Sequence, residues 1–449
     1  MKKLRILYYL LFIFLFFELI YCDNEETTPP PFIKFTEKYK RINESEVNIT
    51  ENNNSCIEEI FYLNNNIYED IYLGNIKILE TKNKEYIFRN FRRKNTNISA
   101  TFTLYNEENR CFEGWPKKVN KSTNENTSYS DEFISVVNFE FDHEDNIYIL
   151  DEGNEESIKI YKYNITGEQL ANFTISKKNN IEMRNLVLSD FVIDPMNNYF
   201  YIAFSYYDAS NDLKHGVIKN NMSNDMVNFL SNSEKINYDE EYKIKNEFIN
   251  NYFNNDIKKY INIALSCDGQ ALFLSPLSSK MIFSIPTENT QDVENNTINE
   301  AYKNDLSFSI QSGNLGNLYL AGIEKNKIYI AGQIDNDLSI FNYRGLDSID
   351  NYGKCSFSKI SINNGVLYII CKTLKKENND NDNFTLVTTI YNYSIEKEKS
   401  YVYKCAGLNY KWDLKSYIIW GIFSLILCFV LVFVFIENKQ DKDINKKNN

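Results

Sequence analysis

Along Val136–Tyr163 (VVNFEFDHEDNIYILDEGNEESIKIYKY) apolar and polar residues alternate with a period of two, the mark of half-buried strands. Phe139 and Phe141 run into an acidic break at Asp142–Asn146, and Ile147 and Ile149 resume the alternation. This predicts two strands joined by a polar turn, then a third strand at Ile158, Ile160, Tyr161 and Tyr163 beyond a second turn at Asp151–Glu156. The hairpin recurs. Ile78-Leu79 turns at Asn83 into Tyr86–Phe88, and Phe191–Asp194 turns through Asn197 and Asn198 into Tyr199–Ile202. Ile263–Leu265 turns at Asp268-Gly269 into Leu272–Leu274, Ile323 at Asn326 into Ile328–Ile330, and Ile360–Ile362 at Asn363–Gly365 into Val366–Ile369. Six copies at intervals of roughly 40 to 75 residues predict an all-β chain folded as a six-bladed β-propeller.

Between the hairpins the pattern lapses. Asp23–Ser55 holds Thr27–Pro31 and an Asn tract, and reads as a flexible lead-in. Asn106–Ser130 reads as a loop carrying Cys111 and Trp115-Pro116, and Lys219–Lys259 as an Asn-, Glu- and Lys-rich insertion. Phe384–Cys405 supplies two further strands, one of them a candidate to close the ring against the first blade.

Both ends carry membrane-pathway signals. Lys2, Lys3 and Arg5 precede an apolar run, Ile6–Phe17, too short to span a bilayer, so a cleaved signal peptide is expected; an uncleaved anchor is the alternative. Tyr417–Ile436 is twenty uncharged residues, long enough to cross as a helix, with Tyr410, Trp412, Tyr417 and Trp420 as an interfacial aromatic belt and lysines beyond it. The expected domains are a signal peptide (1–22), a flexible polar lead-in (23–60), the propeller (61–408), a transmembrane helix (417–436) and a cytosolic tail (437–449). That describes a single-pass type I membrane protein with its propeller on the non-cytosolic side. The final Lys446-Lys447-Asn448-Asn449 matches a di-lysine retrieval address, leaving endoplasmic reticulum and cell surface both open.

Composition adds two constraints. The 33 Tyr and 31 Phe against 15 Gly favour strands, and the net charge of −12 with no basic stripe excludes nucleic acid as a partner. Outside the signal and the span stand six cysteines: Cys56, Cys111, Cys267, Cys355, Cys371 and Cys405. They are candidates for three disulfides of undetermined pairing, with buried thiols as the alternative. Glycosylation acceptor sequences occur at Asn164, Asn172, Asn221, Asn295, Asn383 and Asn392.

Several motifs, taken together, resemble the major royal jelly protein/yellow family. They are Leu150-Asp151-Glu152-Gly153 after Asn146–Ile149, Ile261–Ser266 (INIALS), Leu272–Ser279 (LFLSPLSS), Ser284–Thr287, Ala331-Gly332 through Phe341-Asn342, and Arg92–Lys94 with Ala100-Thr101. Their order and spacing agree over roughly Leu63–Leu374. The resemblance implies a six-bladed propeller whose channel mouth holds small molecules such as amines or sterols, or whose surface meets other proteins. The family's cysteines around the second-blade hairpin are missing, Cys267 stands in the place of its proline, and Phe341 in that of its tryptophan. Its disulfides therefore do not carry over.

Catalytic chemistry is sparse. The chain has two histidines, His143 in a hairpin turn and His215 in the polar loop Asp212–Gly216, and no nucleophile elbow or phosphate loop. Asp151, at a strand end, is the first candidate for contact with a cationic ligand or a metal, and Thr287 and Asn342 hold similar positions; capping of a turn is the bland alternative. The expected function is binding of a small ligand or of an extracellular or lumenal protein partner, with no cofactor. The alternatives are a propeller enzyme, converting catechols in the yellow manner or hydrolysing lactones with a divalent cation, and an adhesive or structural glycoprotein.

Overall fold

A computed structural model describes residues 33–40, 60–62, 74–81, 84–90, 92, 101–119, 126–129, 133–154, 156–177, 186–195, 197–207, 210–222, 227–230, 259–277, 279, 281–287, 299–302, 307–313, 317–322, 328–332, 357–363, 365–376 and 383–394. The chain divides into two units, Met1–Lys404 and Cys405–Asn449, and all described residues belong to the first. They are strands and their connections, with no α-helix among them.

Each predicted hairpin has its strands in place, and each belongs to a larger antiparallel meander. The first sheet runs Ile76–Glu80, Glu85–Asn90, Phe102–Asn106 and Cys111–Gly114. The second runs Val136–Phe141, Ile147–Asn154, Ser157–Tyr163 and Gln169–Ser176, and the third Val187–Asp194, Tyr199–Tyr207, Leu213–Asn221 and Val227–Leu230. The fourth comprises Ile261–Leu265, Ala271–Pro276, Met281–Pro286 and Asn299–Tyr302; the fifth, Ser307–Ser312, Asn317–Gly322 and Ile328–Gly332. The sixth begins with Phe357–Asn363, Val366–Lys376 and Asn383–Ser394.

The two-residue period explains how the sheets pack. Because successive side chains leave opposite faces of a strand, each central strand supplies two separate apolar cores. Ile147 and Ile149 join Phe88, Phe102 and Trp115 of the first sheet, whereas Tyr148 and Leu150 join Phe191, Phe200 and Ile202 of the third. Tyr201 and Ala203 in turn meet Ile263 and Leu272 of the fourth, and Phe273 meets Ile310 and Leu320 of the fifth. Tyr319 and Ile328 meet Ile360 and Leu367 of the sixth. Tyr368 and Ile370, on the other face of that sheet, meet Ile76, Ile78 and Ile87 of the first. Consecutive meanders packed face to face in this way make a β-propeller.

The polar turns are built by their own side chains. Asp142 accepts hydrogen bonds from the backbone N–H of Glu144 and Asn146, both at 2.9 Å. Asp194 does the same for Asn197 at 3.1 Å, and Thr81 for Lys84 at 3.2 Å. These are the Asx- and Thr-type turns that the Asp/Asn/Thr breaks announce.

Five expectations need correction. The lead-in contributes structure: Ile33–Lys40 pairs antiparallel with Asn383–Ile390 in the sixth sheet, and Ile60–Tyr62 pairs parallel with it. The stretch 106–130 is no simple loop, since Cys111–Gly114 completes the first sheet and Lys117–Val119 pairs with Asn126–Tyr129 as a ribbon. The start of the 219–259 insertion is strand, ending one strand at Asn221 and forming another at Val227–Leu230. In the fifth sheet the expected turn at Asn326 falls between the second strand, Asn317–Gly322, and the third, Ile328–Gly332, because Ser307–Ser312 comes first; Ile323 and Asn326 themselves lie outside the described residues. His215 sits in a strand opposite Ser205 and is fully buried. The signal peptide, the transmembrane segment 417–436, Asn342, Lys446 and Lys447 lie outside the described residues. No helix among the described residues is long and apolar enough to cross a membrane.

Candidate functional site

The leading strands of the first, second, third and sixth sheets carry polar side chains within their apolar runs, and several of these are linked. Lys359 of the sixth sheet donates to Asn75 Oδ1 beside the first (2.6 Å), and Asn75 Nδ2 donates to Asn138 Oδ1 of the second (2.7 Å). Asn138 Nδ2 donates to Asp190 Oδ1 of the third, and Asp190 Oδ2 accepts from the Ile263 N–H of the fourth (2.8 Å). Ser309 of the fifth sheet donates to Ile360 O of the sixth (3.4 Å). The result is a hydrogen-bonded belt joining leading strands, with Lys77 of the first sheet paired to Glu140 of the second beside it.

Burial sets the electrostatics. Desolvation is the largest influence on Glu140 and Asp190 and raises both carboxyls above their usual range, against the pull of Lys77. On the cationic side, desolvation holds Lys359 well below the usual lysine range, and Lys372, Arg92 and Lys77 push in the same direction while Asp190 opposes them. Lys372, whose ammonium donates to Gly74 O at 3.2 Å, is brought down to about 7 by burial first and by Arg89 second. Arg89 lies 3.8 Å over the Phe112 ring, and burial lowers it too.

Arg92 crosses from the first sheet to the third and fourth. It is 2 % exposed, one guanidinium nitrogen donates to Ser189 O (2.9 Å), and the group lies 5.4 Å from the Tyr260 ring centre. Ser189 and Ser205 both donate to Lys259 O, at 3.1 and 2.8 Å, which fixes the entry to the fourth sheet beneath it. Arg92, Gly74, Asn75, Ser189 and Tyr260 all lie toward the N-terminal ends of leading strands.

The oxygens of the belt are a poor set of ligands for a divalent cation, which takes six or more oxygens free to coordinate. Asn75 Oδ1 and Glu140 already accept lysine ammoniums, Asn138 Oδ1 accepts an amide, and Asp190 also accepts the Phe191 N–H at 2.9 Å. Two ammonium groups stand where a metal's charge would be needed. No group of three or more metal-binding side chains occurs among the described residues.

The residues nominated from sequence lie elsewhere. Asp151 is fully buried in the second strand of its sheet, and its carboxylate accepts from the N–H groups of Ile134 (2.9 Å), Ser135 (2.7 Å) and Gly153 (3.4 Å). It clamps the chain entering the second sheet. Gly153 has φ +68°, and a Cβ there would collide with Ser157 O, so the L-D-E-G motif is a cap followed by an obligatory glycine. Thr287 Oγ1 donates to Gly269 O, and Lys219 donates to Thr287 O at 2.6 Å. Asp151 and Thr287 share no contact with the belt or with each other. Lys77, Asn138, Glu140, Asp190 and Lys359 were missed. The available signal was a polar residue recurring inside the leading strands: Lys77 in IKIL, Asn138 in VVNF, Asp190 in LSDFV, Lys359 in FSKIS.

Among the cysteines, Cys267 and Cys371 are buried and Cys111 half-buried. Cys56, Cys355 and Cys405 lie outside the described residues.

No family model matches the chain, and neither does any curated protein. Solved structures do. A luciferin-regenerating enzyme is 10% identical over 74% of this chain and 96% of its own, with a TM-score of 0.39. A streptogramin B lyase is 10% identical over 79% and 98%, with a TM-score of 0.34. The β-propeller domain of Cps50 (Swd1) from Myceliophteria thermophila is 9% identical over 70% and 83%, with a TM-score of 0.37.

Proposed function

We propose that the chain is a closed six-bladed β-propeller, tethered by the helix 417–436 to the non-cytosolic side of a membrane, and that it binds a small ligand at the mouth of its central channel. Closure is supported by the core that Tyr368, Ile370 and Ile390 share with Ile76, Ile78 and Ile87, which joins the last sheet to the first. The tether and its orientation are supported by the uncharged segment Tyr417–Ile436 and the apolar N-terminal run. Kinship with the major royal jelly protein/yellow family is proposed on the motifs alone. Of these, the L-D-E-G cap stands in the second strand of the second sheet and the INIALS entry at the start of the fourth sheet.

The observation that carries the binding role is the belt from Lys359 to Ile263. Its oxygens are engaged by lysine and amide donors, an arrangement that supports recognition over metal-assisted hydrolysis. Disulfides at Cys111, Cys267 and Cys371, with partners among Cys56, Cys355 and Cys405, are part of the same proposal. Thermal melting of the full-length protein in detergent, against divalent cations, amines, sterols and anions, tests it. A ligand that binds the native state raises Tm in a saturable way. A saturable rise with calcium or another divalent cation alone would reverse the choice between binder and metal-dependent enzyme.

A further inference from the structure

The outer strand of a sheet leaves one side of its backbone unpaired, a template on which another chain can add a strand. Most outer strands here are short. Among the described residues they are Cys111–Gly114, Val227–Leu230 and Asn299–Tyr302 at four residues each, Ile328–Gly332 at five and Ile60–Tyr62 at three. Gln169–Ser176 of the second sheet differs. It is eight residues long, ends its sheet, and exposes Gln169, Leu170, Asn172, Thr174 and Ser176. Leu170 is 48 % exposed.

This strand lacks the usual guards of an edge. QLANFTIS holds no charge and no proline, and Leu170–Ile175 is an uncharged run of the kind that pairs edge to edge when left bare. The charges at its two ends are engaged elsewhere. Lys177 is buried and donates to Glu152 O (3.1 Å) and Asn154 O (2.9 Å), and Glu168 accepts from Asn164 Nδ2 (3.0 Å). Lys159 stands opposite Thr174, but one strand further in. What the edge does carry is the acceptor sequence Asn172-Phe173-Thr174. Alternation puts Phe173 against the core shared with the third sheet and leaves Asn172 and Thr174 in solvent. The neighbouring acceptor, Asn164, is built into its turn: its Oδ1 accepts from Thr166 Oγ1 (2.7 Å) and from the N–H groups of Thr166 and Glu168.

We propose that Asn172 carries an N-linked oligosaccharide, and that this glycan guards the second sheet's edge by keeping two copies of the chain from pairing through it. This rests on the non-cytosolic placement proposed above. In the transfer, Asn172 Nδ2 forms a bond to the anomeric carbon of an oligosaccharide carried on a polyprenyl diphosphate. The bond from that carbon to the diphosphate oxygen breaks, the diphosphate leaves with the electron pair, and Nδ2 gives one proton to a base of the transferase. The product is a bulky, hydrated group two residues from Leu170. A second strand would have to approach within about 4.8 Å of this one, and the glycan occupies that space.

Peptide mapping of the full-length protein made in its own cells reads the modification: peptide N-glycosidase should leave an acid at position 172. Light scattering in detergent reads the role. Asn172→Gln and Thr174→Val remove the acceptor sequence by different routes. Each should give about double the apparent mass of the glycosylated protein at an unchanged Tm, as two chains joined edge to edge require. Adding Leu170→Lys to Asn172→Gln places a charge on the edge and should restore the original mass. If the variants do not fold, glycosidase treatment of the folded wild-type protein replaces them, with the same doubling expected. Glycans elsewhere with Asn172 bare, an unchanged mass on losing the glycan, or a doubling that Leu170→Lys does not reverse overturns the proposal and leaves the placement standing. If no acceptor sequence carries a glycan, the placement falls and the proposal with it.

Discussion

Asp190 shows how much one side chain can hold. Its carboxylate accepts from Asn138, from its own neighbour Phe191 and from Ile263, tying three successive sheets through a single half-buried group. Asp190→Ala leaves two backbone N–H groups and an amide without their acceptor at a half-buried position, so a loss of about 2 kcal/mol in urea unfolding is expected. A loss below about 1 kcal/mol would mean the belt is incidental to stability. His215 makes a different statement. Neither ring nitrogen has a hydrogen-bond partner, and burial lowers its pKa to about 4 from 6.5. The unfolded chain therefore binds more protons between those values. The histidine's contribution is in place above pH 6.5 and is lost as pH falls toward 4, amounting to roughly 3 kcal/mol. His215→Phe should flatten the acid side of the Tm–pH curve; an unchanged slope between pH 6.5 and 4 would count against the burial. Sequence reasoning put His215 in a loop because Asp212, Lys214 and Gly216 surround it, and a strand's partner, here Ser205, is not visible in those letters.

At the scale of the element, the hairpins were legible and the N-terminal edge strand of the sixth sheet was not. A hairpin is local: alternation fixes which face is buried, and an Asp or Asn supplies the turn by bonding its own backbone, as Asp142 and Asp194 do. Fourth strands were harder. Cys111–Gly114 and Val227–Leu230 are four residues each, too short for a periodic signal. Ile33–Lys40 (IKFTEKYK) lies in a polar, proline-flanked stretch, and its partner Asn383–Ile390 is more than three hundred residues away. What makes it a strand is the unpaired edge it meets, since an open edge of N–H and C=O groups is satisfied by any extended segment that reaches it. A chain lacking residues 23–40 should consequently expose the Asn383–Ser394 edge. It is expected to melt lower and to aggregate, and a synthetic peptide of residues 31–42 supplied in trans should restore part of the lost Tm. Equal Tm with and without the segment would remove it from the fold.

For the whole molecule, the charge that matters is divided between surface and centre. The chain is acidic in total, at −12, yet the described buried charges around the belt are mostly basic, so total charge argued against nucleic acid and said nothing about the charge between the sheets. The proposed non-cytosolic placement rests on segments outside the described residues, and the fold offers a way to examine it. In the second sheet the outermost strand, Gln169–Ser176, presents Asn172 to solvent within Asn172-Phe173-Thr174, and Asn164 stands in the turn before it. An outer edge strand is where a glycan can be carried without disturbing a core, and where it would block edge-to-edge pairing. If the propeller faces the lumen or the outside, peptide N-glycosidase will lower the apparent mass of the protein made in its own cells, and Asn172→Gln will remove one step of that change. Glycans trimmed only to the high-mannose stage would agree with retrieval through Lys446 and Lys447, and complex glycans with the cell surface. A protein whose mass does not respond to the enzyme, and whose Cys111, Cys267 and Cys371 react as thiols without prior reduction, would place the ring in the cytosol. The proposed binding role would be untouched by that result, because it depends on side chains inside the sheets; the membrane tether as oriented would fall.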